Sequence, residues 1–134
     1  MNKITLYKAG SIAFILLGIA HLSVSAMGAP ENPQLTQLLA DMQNYKIDMF
    51  GSHDLLKFHN GFSLMMGFLL SAFGVQNLVL SEFIIVNRKA QWTTAVITAI
   101  ALVIAFTYFH LLAYGFILFS LICYSIPLFG QTQK

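Results

Sequence analysis

The sequence predicts an all-α protein: a four-helix transmembrane bundle with a short amphipathic surface helix between its first and second spans. Three observations carry that reading. Apolar residues make up 57% of the 134-residue chain and charged residues only 9%, against about 25% charged in an ordinary soluble domain. A chain of this length is a single domain, residues 1–134, and a small domain has too much surface for a large core to absorb the deficit. Long runs, 9–28 and 91–129, also carry no charge at all, so the apolar surface is expected to face lipid.

The first uncharged run covers about 9–28. At about 1.5 Å per helical residue it matches a hydrocarbon core of roughly 30 Å. A cleaved signal peptide is the competing expectation, with Lys3 and Lys8 as its basic lead and Val24-Ser25-Ala26 as the small-residue cleavage site. The membrane-like remainder favours a retained span, because it gives the first segment helices to join. Pro30 and Pro33 are expected to end this helix. Leu35, Leu38, Leu39 and Met42 then recur on one helical face, which predicts a surface helix at about 34–43. The stretches 44–48 and 51–52 read as turns, with Ser52 as the cap of the next helix.

That helix is expected to start near His53 and to span at about 58–80. Ser63, Gly67 and Ser71 lie four apart on it. Helices in lipid associate by close packing, so this small-residue face is expected to meet a neighbour. Residues 81–91 read as a charged loop with Glu82, Arg88 and Lys89. From Gln91 to Phe129 there is again no formal charge, and the run is too long for one crossing. It predicts a hairpin of two spans, about 91–108 and 112–129, with the turn inside Phe109–Gly115. Thr94, Thr98, Ala101 and Ala105 form the small face of the first. Ser120, Cys123, Tyr124 and Pro127 share a side of the second, with Pro127 at its expected end.

Several chemistries are excluded or unsupported. Cys123 is the single cysteine, so there is no internal disulfide and no CxxC site. The net charge of +2 is scattered, which does not suggest nucleic acid. There is no HExxH, no nucleophile-elbow serine and no phosphate-binding glycine loop. No reaction is indicated, and a non-enzymatic role is the simpler expectation.

The short loops permit an orientation. Lys3, Lys8, Arg88, Lys89 and Lys134 fall on one side, and only Lys46 and Lys57 on the other, with Glu31, Asp41, Asp48 and Asp54. The positive-inside rule then puts both termini in the cytoplasm, and all four histidines fall in the outer half of the protein. His21 is the most telling. It sits on a stripe with Gly10, Phe14, Gly18, Ser25 and Gly28 that is expected to face the bundle. An ionisable residue at membrane depth is a functional candidate. The blander alternative is a neutral imidazole hydrogen-bonded across helices to a hydroxyl or a backbone carbonyl. His53 reads as solvated, His59 and Asn60 lie where the second span meets the boundary, and His110 beside Tyr108 also suits an interfacial anchor.

Three function classes follow. The first is binding of a small apolar or amphipathic ligand, a lipid or quinone, in an outward-facing pocket near His21 and His59, with Asn60, Tyr108 and His110 as further candidates. The second is a haem- or metal-binding redox protein using His21, His59 and His110. The third is an accessory subunit whose small-residue faces bind another membrane protein or a second copy.

Gly18-Ile19-Ala20-His21-Leu22, Asn44-Tyr45-Lys46-Ile47-Asp48 and Asn60-Gly61-Phe62-Ser63, followed by two apolar spans, resemble a family of small bacterial four-helix integral membrane proteins of unassigned function. The resemblance implies a place in the bacterial inner membrane. It includes His21 and Asn60–Ser63 in the shared pattern but not His53 or His110. It implies no activity. A looser architectural likeness is to DoxX-like membrane proteins, some of which act beside quinone-linked oxidoreductases.

Overall fold

The computed structural model describes residues 2–27, 32–48 and 51–129. Gly28, the Ala29–Glu31 end of the first span and Lys134 lie outside them. The protein is all-α apart from one small hairpin. Helix α1 (Lys3–Met27) is followed by α2 (Pro33–Asn44), strands β1 (Lys46–Asp48) and β2 (Ser52–Asp54), and α3 (Leu55–Val79). A short α4 (Ser81–Val86) leads to α5 (Arg88–Tyr108) and α6 (Leu111–Phe129). Helices α1, α3, α5 and α6 are each long and apolar enough to cross a membrane.

Capping residues set the element ends. Asn2 accepts from the amide of Ile4 to open α1. Asn32 accepts from the amides of Gln34 and Leu35, and Pro33 occupies the first turn of α2, where its missing N–H costs nothing. Pro33 therefore begins a helix, in addition to being unable to continue the previous one. The stretch expected as turns is an antiparallel pair with Lys46 opposite Asp54, Ile47 opposite His53 and Asp48 opposite Ser52. Gly51 has φ +133°, a region closed to most side chains.

Ser52 belongs to β2, and the cap of α3 is Asp54, whose carboxylate accepts from the amide of Lys57 at 2.7 Å. Aspartate outcompetes the serine because its charge also suits the positive helix end. Asp54→Ala is expected to cost about 1 kcal/mol, read as a lower unfolding midpoint, with Ser52→Ala unchanged.

Residues 81–86, expected in a loop, form α4. Ser81 and Ile84 are buried there, and α4 packs on α1 and α5. Asn87 then caps α5 through the amides of Lys89 and Ala90. The α5–α6 turn is Phe109-His110, at the start of the expected range. Pro127 lies inside the last turn of α6, buried, and the helix runs on to Phe129.

Helix α1 is central. It packs along α3 on one side and α6 on the other, and α5 packs on α6. Glycines allow the α1–α3 approach. A Cβ at Gly18 would stand 2.6 Å from the Gly67 carbonyl oxygen, and one at Gly74 would stand 2.7 Å from the Ser11 carbonyl oxygen. On the α6 side, a Cβ at Gly10 would stand 2.9 Å from that of Cys123. Tyr7, Phe14, Leu17, Ile117 and Tyr124 form the centre of the core. Most of the outward-facing side chains of the long helices are apolar, for example Leu16, Phe68, Val103 and Phe119.

Candidate functional site

Helices α3 and α5 scarcely touch along their lengths. They are tied at the α4 end by buried polar side chains. The Tyr7 hydroxyl donates to Asn77 Oδ1 at 2.7 Å, and the Thr94 hydroxyl donates to the same oxygen at 3.2 Å. Asn77 Nδ2 donates to the Phe73 carbonyl at 2.9 Å. Ser11 donates to the Tyr7 carbonyl, and Tyr124 donates to Ser11 at 3.2 Å. Gln91 Nε2 donates to the Ile85 carbonyl, joining α5 to α4. Tyr7 precedes the uncharged run at 9–28, and Asn77 falls among apolar residues near the end of the second span. A tyrosine and an asparagine seventy positions apart leave no local signal of their pairing.

Toward the β-hairpin end the wedge between α3 and α5 widens into a cavity of about 290 Å³. Its walls are Leu17, Ala20 and His21 of α1, Met66 and Leu70 of α3, Ala101, Ile104 and Ala105 of α5, and His110 with Ala113 and Ile117 at the start of α6. The walls are almost wholly apolar, with His21 and His110 as the ionisable members. Of the residues singled out from sequence, these two line the cavity. His59 and Asn60 lie exposed on α3, one turn nearer the hairpin than Ser63. Tyr108 is 79% exposed, and His53 is exposed on β2; neither is a wall of the cavity.

The His21 imidazole is fixed by α3. Its Nε2 lies 3.0 Å from the Ser63 carbonyl oxygen and 3.1 Å from Ser63 Oγ. Ser25 Oγ donates to the His21 carbonyl at 2.9 Å and lies 2.9 Å from Ser63 Oγ. The Ser63 carbonyl oxygen can only accept, so its 3.0 Å contact is a hydrogen bond in the tautomer that carries the proton on Nε2. In the Ser25–Ser63 contact either hydroxyl can be the donor. This is the interhelical histidine that the blander sequence reading described, one turn from the Gly18–Gly67 crossing that brings α1 and α3 within reach.

A three-histidine metal centre does not fit this geometry. Among the described residues no group of three or more His, Cys, Asp or Glu side chains is placed to share an ion. His21 Nε2 is engaged by Ser63, and His59 is not a wall of the cavity. A cavity of about 290 Å³ also lies at the bottom of the range for small-molecule sites, about 300–1,000 Å³, which suits a single ring or chain end better than a macrocycle. In comparison with known proteins, the chain matches no family model, no curated protein and no solved structure.

Proposed function

We propose that this chain is a four-helix transmembrane bundle of a bacterial inner membrane that binds a small apolar or amphipathic ligand, of lipid or quinone class, in the cavity beside His21 and His110. The observation that carries the reading is the cavity itself, an apolar recess between the helices, open at one edge, with two imidazoles in its wall. Apolar space bounded by several helices forgoes contacts that an occupant would restore. The exposed apolar faces of the four long helices support the membrane setting. The described cations support cytoplasmic termini. Lys3, Lys8, Arg88 and Lys89 lie at the α4 end, against Lys46 and Lys57 at the hairpin end, where Asp41, Asp48 and Asp54 also gather. In that orientation the cavity lies in the outer half, and the ligand reaches it from the bilayer through the gap between α3 and α5.

The Met66 side chain lines the cavity, so its methyl group reports occupancy. Titrating ubiquinone-1 or a monoacylglycerol into the detergent-solubilised protein is expected to move the Met66 methyl resonance saturably and to raise the melting temperature. Ala101→Phe fills the chamber from α5 and is expected to abolish both effects while the fold persists. A Met66 resonance indifferent to every such additive, or a response unchanged in the Ala101→Phe protein, counts against the site.

A further inference from the structure

We infer that the cavity selects ligands carrying a neutral hydroxyl group, which donates a hydrogen bond to His21 Nδ1. The inference rests on the ligand-binding reading above and specifies the chemistry of that site. The Ser63 carbonyl oxygen, 3.0 Å from Nε2, can only accept a hydrogen bond and so favours the tautomer protonated there. In that tautomer Nδ1 is the lone-pair nitrogen, and it makes no hydrogen bond to the described residues. The ring forms part of the cavity wall. A carbonyl or ether oxygen brought to that nitrogen meets lone pair with lone pair, whereas a hydroxyl donates to it.

The remaining walls narrow the choice further. Among the described residues no lysine or arginine lines the cavity, so a carboxylate or phosphate head meets no fixed cation from them and leaves water at a large cost. His110, the second polar wall, makes no side-chain hydrogen bond among the described residues and can accept or donate according to its tautomer. The ligand is thus a neutral amphiphile with a hydroxyl head toward His21 and an apolar body against Leu17, Leu70 and Ile117. Two sources offer that head: phenolic compounds, such as the reduced form of a quinone, and aliphatic alcohols, such as a fatty alcohol or diacylglycerol.

The test compares 4-butylphenol with 4-butylanisole and 1-decanol with methyl decyl ether, in pairs that differ chiefly in the hydroxyl donor. Affinity is read from the Met66 methyl shift in wild type and in His21→Leu. Comparing the hydroxyl-to-ether ratio between the two proteins cancels unequal partitioning into the micelle. One hydrogen bond of ordinary net strength gives about a tenfold preference, expected in wild type and lost in His21→Leu. The pair that shows it identifies the source as phenolic or aliphatic. Equal affinities within both pairs overturn the inference while leaving the binding site intact. Failure of all four compounds to bind overturns the binding reading and the inference with it. Nitrogen-15 spectra of the His21 ring provide a readout independent of any variant: a protonated Nε2 and a bare Nδ1 are expected, and the opposite tautomer overturns the assignment.

Discussion

Gly18→Ala is expected to destabilise the protein by about 3 kcal/mol, more than any other single-methyl addition to the described helices. A Cβ at this position stands 2.6 Å from both the carbonyl oxygen of Gly67 and the backbone nitrogen of Ser71. Neither is the end of a flexible side chain, so the helices themselves must separate. Overpacking of this kind costs about 1–3 kcal/mol where side chains can yield, and here backbone meets backbone, which sets the upper end. In the membrane setting proposed above, no hydrophobic effect draws the helices together, so close packing lost at the crossing is not replaced by another driving force. Gly115→Ala and Gly61→Ala are the controls. Their Cβ atoms meet nothing within 4 Å, and removing a glycine from a helix interior is at worst neutral. Midpoints of denaturant or thermal unfolding in detergent measure the difference. Equal midpoints for Gly18→Ala and Gly115→Ala would mean that the α1–α3 crossing is looser than the distances imply. The substitution also reaches the site: one turn along, the Ser63 contacts of His21 depend on that approach, so those contacts should be lost before the fold is.

That crossing was legible in the sequence, because small residues at three- and four-residue spacing have one strong physical use between lipid-embedded helices. Gly18 on one helix and Ser63, Gly67 and Ser71 on the next are such a set, and they meet. The buried faces of α5 and α6, at Thr94, Thr98 and Ala105 and at Ser120, Cys123 and Tyr124, were legible for the same reason. The rotation of each helix about its axis was much less so. An ordinary amphipathic helix marks its buried stripe by polarity, but here both the outward-facing and the core-facing sides are apolar. His59 and Tyr108 therefore looked as eligible for a pocket as His21 and His110, although only the latter pair lines it. Helix α4 escaped notice because Glu82 and the nearby Arg88 and Lys89 gave its stretch a loop's composition, while its anchor is the burial of Ile84 and Ser81 against neighbours distant in sequence.

Asn77→Ala is the second large effect expected, about 2–4 kcal/mol. Asn77 Oδ1 accepts from Tyr7 of α1 and Thr94 of α5, and its Nδ2 donates to the Phe73 carbonyl of its own helix. Truncation removes three hydrogen bonds at once and takes its 2.7 Å acceptor from a fully buried tyrosine hydroxyl, which keeps only the Thr94 hydroxyl as a hydrogen-bond partner among the described residues. Single interhelical hydrogen bonds in lipid average only about 0.6 kcal/mol, with a maximum near 1.7, so no one of them explains a cost of this size. An orphaned buried donor adds about 1–3 kcal/mol. Thr94→Val separates the two contributions. It removes one donor but leaves Asn77 Oδ1 satisfied by Tyr7, and is expected to cost no more than about 1 kcal/mol. Should the two substitutions prove equally mild, Asn77 is not the point where three helices are joined. The consequence extends beyond stability. Helices α3 and α5 make little other direct contact, and this junction closes the wedge whose open end is the cavity. Releasing it frees α3 to swing from α5, so the Met66 methyl in the cavity wall should broaden and any ligand-induced shift there should weaken, although Asn77 lies at the opposite end of α3 from the hairpin and is not among the cavity walls.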